Sequence, residues 1–538
     1  MSSLVRSTAV MSFGTVLSRI TGLLRLMAIA AALGVVETRV TDSYNYANIT
    51  PNIIYELVLG GVLTSVFVPV FVELLHNKGR DEAWRVASAI INVSLVVLTV
   101  IATIGMIAAP WIAGFFEAEG ETQRQIIAFL LRVFMPQIIF YGLAAITAGL
   151  LNAHGRFGPP MYTSVLNNLV VIAVFVAFHQ AYPTIPDDLG QITTTQLWII
   201  GAGTTAGVIV MSLTQASFLR GLGRYHLTLS IRHPSVRKLA RLSIYVVGYV
   251  VANQIGYLIV LYLAKAQQGG YSAYTAAFTF FMLPHGLFAV SIMTALLPGM
   301  SEQATNERWD LFRNRLSTGI RTTVLLIVPA AVGYLILGEQ IVRLLLERGV
   351  MTSQSTELVA GVLTFFTLGL LPFSLFQLFL RAFYALQDTK TPFLINCGAV
   401  LLNVAVNIVM WRFLKVRGLA AGHAIAYIFG VALQARVLSR RIGGLDGRRV
   451  VASVIRVVVA AVGMGIVVWG TSTLMERSLD PDAFISQAVV LGISVVIGVV
   501  SFLALARMLG VEELSYARGL LGRRFRKEAD TEPRSPVR

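Results

Sequence analysis

Ser18-Arg19-Ile20-Thr21-Gly22-Leu23-Leu24-Arg25 sets two arginines inside a run that is otherwise apolar from Met11 to Val36. A guanidinium keeps its proton at any ordinary pH, so an arginine at membrane depth must face water, protein or an anion. The next apolar run opens at Asp42 and continues through Thr50-Pro51-Asn52-Ile53-Ile54-Tyr55-Glu56-Leu57-Val58-Leu59-Gly60-Gly61. Charges of both signs in consecutive membrane-length runs mark a polar interior by default. On a helix, Arg19 and Arg25 stand roughly 9 Å apart along the axis and about 120° around it, so one broad polar face presents both.

The remaining sequence is scaffold for that interior. Of 538 residues, 56% are hydrophobic and only 13% charged, with a mean hydropathy of +0.73. Soluble domains carry about a quarter charged residues, so this composition defines a polytopic membrane protein. About fourteen runs reach the length that spans a hydrocarbon core. The first covers 8–34, the second 44–75, the tenth 357–384, and the last two 451–474 and 484–507. These last two are rich in Val and Ile and suit a lipid-facing position. Prolines inside the runs, Pro51, Pro136, Pro284 and Pro298 among them, predict bent helices whose freed carbonyls neighbours must satisfy.

The net charge of +16 comes from 43 Lys+Arg against 27 Asp+Glu. It reads as topology rather than nucleic-acid binding, because the basic residues gather in alternate loops. Lys78 and Arg80; Arg220, Arg224, Arg232, Arg237, Lys238 and Arg241; Arg308, Arg313 and Arg315; Arg440, Arg441, Arg448 and Arg449; and Arg523, Arg524, Arg526 and Lys527 share one side. Glu117, Glu119, Glu121, Asp187, Asp188, Asp480 and Asp482 share the other, where only Arg412, Lys415 and Arg417 dissent. Both termini are therefore expected in the cytoplasm. Arg19 and Arg25 interrupt any signal-peptide core, so the first run is expected to be a retained helix. Cys397 is the only cysteine and forms no intrachain disulfide.

Arginine pairs bidentately with phosphate, so two of them near mid-membrane suggest an anionic, phosphate-bearing substrate; snorkelling to the surface is the plainer alternative. Asp42 suits either an arginine partner that closes an outer gate or the N-cap of its own helix. Glu56 lies deeper, as a cavity acid or a buried neutral carboxyl. Asn403 and Asn407, at i and i+4, more often glue helices than hold a cation. His285 and His423 read as satisfied or cavity-lining, and Asp388 with Lys390 as the brace of a short turn. Without a P-loop, an HExxH or a Cys/His metal spacing, neither an enzyme nor a cofactor is expected. Any transport would then draw on ion gradients, membrane potential or the substrate gradient.

Taken in order, these motifs resemble the MurJ/MviN family of lipid II flippases in the MOP exporter superfamily. The resemblance rests on Ser18 to Arg25, Thr41-Asp42-Ser43-Tyr44, Pro51-Asn52 through Gly60-Gly61, and Gly155-Arg156-Phe157 with Pro160 and Asn168. It continues through Leu283-Pro284-His285-Gly286, Leu297-Pro298, and Phe383-Tyr384-Ala385 with Asp388-Thr389-Lys390-Thr391-Pro392. Tyr55-Glu56-Leu57 and Gly60-Gly61 are most similar to the actinobacterial branch. The resemblance implies an all-α, MATE-like fold of fourteen transmembrane helices. Its two pseudo-symmetric six-helix lobes would cover 1–221 and 222–440, with a lipid-tail groove at 441–510 and a basic cytoplasmic tail at 511–538.

It also implies alternating-access export of undecaprenyl-diphosphate-linked peptidoglycan precursor across a bacterial plasma membrane. First-helix cations would bind the diphosphate. Arg19, Arg25, Asp42, Asn52, Tyr55, Glu56, Asn168 and Thr279 are the resulting candidate substrate-binding residues. The family's charged positions are Leu26, Tyr55, Gly60 and Thr279 in this chain. The sodium site of some members falls near Asn403, Asn407 and His423, where no acidic residue stands. The expected partners are lipid II or a similar polyprenyl-diphosphate lipid, membrane lipids and cell-wall synthesis proteins, with no nucleic acid. The rival readings are a flippase for another polyprenyl-linked oligosaccharide, a MATE-like cation-coupled exporter, and a scaffold that recruits cell-wall enzymes.

Overall fold

The computed structural model describes residues 3–57, 71, 75, 79–118, 120–186, 188–228, 244–480 and 483–514. Within them the secondary structure is helical, with no strand. Twelve of the described helices are long and apolar enough to cross a membrane, and the bent pair Ser353–Leu368 and Leu370–Ala385 makes a thirteenth span. Each falls on an apolar run of the sequence. Of the second run, helix Arg39–Tyr55 is described, while most of its continuation and Gly60 lie outside the described residues. So do Lys78, Glu119, Asp187, Asp482, most of the basic loop after residue 217 and the basic tail.

Local chemistry sets the helix ends. Thr38 accepts from the Val40 N–H at 3.2 Å and starts α2, Arg39–Tyr55, just after α1, Ser3–Leu33. A capping box opens the helix Thr194–Ser217: the Gln196 amide donates to Thr193 Oγ1 at 3.3 Å, and the Thr193 amide donates to Gln196 Oε1 at 2.8 Å. Pro136 divides α3, Glu121–Phe134, from α4, Gln137–Ala153. Pro284 ends the helix Gly270–Pro284 and precedes a π turn at His285–Ala289, since proline supplies no N–H to continue the ladder.

The chain clusters into two compact units. One comprises 1–283, 345–366 and 389–430. Within it α1 packs along α5, Gly158–Ala181; α2 lies on α3; and α6, Ile244–Ala264, lies on α7, Lys390–Leu414. At one end of this unit four loops are tied together. Glu37 accepts from the Thr352 N–H at 2.7 Å, Thr352 Oγ1 at 2.7 Å and Ser355 Oγ at 2.8 Å. The Val350 amide donates to the Ala31 carbonyl at 2.9 Å, an approach that Gly349 (φ +63°) permits because a Cβ there would lie 2.2 Å from that oxygen. Gln267 accepts from the Val416 amide at 3.1 Å, and Arg417 pairs with Glu357 at 3.1 Å.

The other unit comprises 284–344, 367–388 and 431–538. Its helices Gly447–Glu476 and Phe484–Met508 pack side by side. They turn Val451, Ile455, Val459, Val462, Ile466, Ile485, Val496 and Val500 outward, as lipid-facing helices should. Arg321, only 5% exposed, pairs with Glu513 at 2.5 Å and Glu512 at 3.4 Å. Arg449 also reaches Glu512, at 2.8 Å, which fixes the segment after the last helix. Asp388 is held by Arg441, and His285 Nδ1 lies 3.0 Å from Ser374 Oγ.

Candidate functional site

Arg25 is half-buried on α1 and Arg19, six residues earlier, is exposed. Among the described residues no carboxylate pairs with either. Their backbone is held by α5, where Asn168 Nδ2 donates to Thr21 Oγ1 at 3.0 Å and to the Ser18 carbonyl at 3.4 Å. Ser164 Oγ donates to Ser18 Oγ at 3.1 Å. Asn168 therefore clamps the arginine-bearing turn against its neighbour.

Arg25 lies within the electrostatic reach of Tyr141 of α4. The Tyr141 hydroxyl interacts with the Asn52 side chain within the field of Arg25, and it donates to Gln137 Oε1 at 3.3 Å. The Tyr55 ring lies 6.0 Å from the Tyr141 ring. Asn52 and Glu56 in turn line a cavity of about 380 Å³ walled by α2, α6, α7 and the helices that carry Tyr274 and His423. Asn52 and Tyr55 are thus neighbours of Tyr141, with Arg25 in electrostatic reach of it and Glu56 on the cavity wall that Asn52 shares. No single-residue signal in the sequence singles out Tyr141. Its one trace is the polar pair Gln137 and Tyr141, at i and i+4 in an apolar stretch.

Asn403 and His423 line the same cavity, whereas Thr279, Asn407 and Asp42 are not on its wall. Thr279 bonds back to the Thr275 carbonyl at 2.9 Å within its own helix. Asn407 donates to Asn403 Oδ1 at 3.0 Å, and His423 packs among Phe278, Phe281 and Phe366. Asp42 pairs with Arg39 and caps a helix other than its own. It is 0% exposed and accepts from the Gly269 amide at 2.9 Å, the Ser272 amide at 3.1 Å and Ser272 Oγ at 2.6 Å. It caps the start of the helix Gly270–Pro284, because Thr38 already caps α2. Arg39, at 3.9 Å, is its more distant cation. Sets of three or more His, Cys, Asp or Glu arranged to hold a metal ion are absent among the described residues.

Membrane-spanning helices around a cavity lined by amides, tyrosines and Glu56, with first-helix cations that meet no carboxylate among the described residues, define a multi-pass membrane transporter. A family model described as lipid II flippase MurJ matches residues 29–501, and the chain belongs to that family. The matched span begins just after Arg25. Probable lipid II flippase MurJ of Rhizobium meliloti (strain 1021) is 29% identical over 430 residues, covering 79% of this chain and 78% of that one. Its counterpart in Vibrio cholerae is 28% identical over 530 residues, covering 94% and 96%.

Among solved structures, "Lipid II flippase MurJ, inward closed conformation" superimposes with a TM-score of 0.76 at 22% identity, covering 94% of this chain and 99% of that one. An inward-facing MATE-family multidrug resistance transporter of the MOP superfamily follows at 0.65 and 13%, covering 80% and 96%. The two likenesses establish the shared fold. The protein is a multi-span membrane protein of a bacterial lipid II flippase family.

Proposed function

We propose that this chain moves lipid II from the inner to the outer leaflet of the plasma membrane by alternating access, with Arg19 and Arg25 taking the diphosphate. The observation that carries this reading is a half-buried Arg25 with no carboxylate partner among the described residues, within electrostatic reach of Tyr141, whose hydroxyl meets Asn52 on the cavity wall. A fixed cation without a counter-ion is a ready anion site. Tyr55, Glu56 and Asn168 frame or brace that site in this reading, Asp42 and Thr279 lie apart from it, and no catalytic step is assigned.

Entering substrate neutralises the mutual repulsion of the two guanidinium groups and so favours the occluded form. Lobes covering 1–221 and 222–440 then rock about the bound head, while the polyprenyl tail runs along the helices after 441. Both termini face the cytoplasm, which makes the end tied by Glu37 and Asp42 the outer one. The basic tail offers a contact for cell-wall synthesis proteins. The test is complementation. Arg19→Glu should reach the membrane at wild-type level yet fail to support growth of depleted cells, and growth at the wild-type rate would contradict the assignment.

A further inference from the structure

The last two helices, Gly447–Glu476 and Phe484–Met508, are fastened to the helix Trp309–Leu346 at three depths. At the arginine-rich end, buried Arg321 pairs with buried Glu513 at 2.5 Å, just past the last helix. Beside it Ser317 Oγ donates to Asp446 Oδ2 at 3.1 Å, in the residue that precedes the first helix of the pair. Midway, Gly465 lies so close to Val332 and Ile336 that a Cβ there would stand 2.9 Å from each. At the far end Gln340 Nε2 donates to Glu476 Oε1 at 3.1 Å. The contact points advance together along both chains, so Gly447–Glu476 runs beside Trp309–Leu346 in the same direction over most of its length.

The pair is also closed on itself. Arg456 Nη1 donates to the Gly510 carbonyl at 3.0 Å, and a Cβ on Gly463 would lie 2.8 Å from Leu505 and one on Gly498 3.0 Å from Val468. Close-packed surfaces of this kind repack in discrete steps or not at all. The ion pair narrows the choice further. A buried pair adds little net stability over apolar side chains, yet any slip that parts it strands both charges, and arginine cannot shed its own. We propose that the last two helices serve as a rail, travelling with Trp309–Leu346 as one rigid body through the transport cycle, with Arg321 and Glu513 as the pin. On the lipid II reading, which supplies the tail but not the rail, a polyprenyl chain along these helices keeps its place beside Trp309–Leu346 while its head changes sides. No flap-like swing of the pair is needed to admit it.

The test bolts the rail in place. In a Cys397→Ser background, Val332→Cys with Gly465→Cys puts a sulfur where Val332 Cγ1 now faces residue 465, and oxidation joins the two helices. In depleted cells the oxidised protein should restore exposure of labelled lipid II as fully as the same variant kept reduced. Loss on oxidation that reduction reverses would overturn the rail. The pin has its own readout, independent of transport. Purified Arg321→Leu should melt several degrees below wild type, and Arg321→Leu with Glu513→Leu, which strands neither charge, should recover most of that shift. Wild-type melting of Arg321→Leu, or no recovery in the double variant, would overturn the pin and the rail with it. Should wild type itself fail to restore exposure, the lipid II reading falls and the melting comparison alone decides the rail.

Discussion

Asp42 is a carboxylate whose work is done for a helix 227 residues further along the chain. Replacing it with alanine strands the Gly269 and Ser272 amides in a fully buried site, at a cost of roughly 2–3 kcal/mol. Asp42→Ala should therefore melt well below wild type in detergent, while Asp42→Asn, which keeps an acceptor oxygen, should lose less. Equal melting of Asp42→Ala and wild type would remove this role. Sequence alone placed Asp42 at a helix start, because Thr41-Asp42 looks like one, but the helix it caps is remote and leaves no local pattern. Arg19 and Arg25 were legible for the opposite reason: a permanent charge in an apolar run is anomalous by itself. Tyr141 was not legible, since a tyrosine in a membrane helix is unremarkable until its neighbours are known.

Among elements, the loop of residues 34–38 carries the clearest pH dependence. Burial draws the Glu37 carboxyl upward, but the hydrogen bonds from Thr352, Ser355 and Val35 outweigh it and hold the group below its ordinary 4.5. A carboxyl whose folded value is lowered stabilises the folded state above the unfolded value, and that share is lost as pH falls through the folded one. Unfolding followed from about pH 5 down to about pH 3 should steepen in wild type and flatten in Glu37→Gln; identical slopes would contradict the link. The helices were readable from apolar runs, yet their ends were not. Arg80–Phe116 and Trp309–Leu346 extend past their apolar cores, because charged turns continue a helix beyond the oil. Asp81, Glu82 and Asp310 in the first turns, and Arg343 in the last, sit where the helix dipole favours them.

At the scale of the whole molecule, orientation follows from the distribution of lysine and arginine. In a Cys397→Ser background, Ser535→Cys should react with a membrane-impermeant maleimide only after cells are permeabilised. Labelling of intact cells would invert the topology, and with it the assignment of the Glu37 end to the outside. The fold class was legible because composition and run length constrain a membrane chain tightly. The cavity was not, since Asn253, Asn396 and Asn403 each resemble ordinary helix glue until two helices bring them to one space. The central claim is that the cations of the first helix carry the diphosphate across, and exposure of labelled lipid II at the outer face of depleted cells measures it directly. Wild type should restore that exposure and Arg25→Gln should not, at equal amounts in the membrane; full restoration by Arg25→Gln would contradict the account.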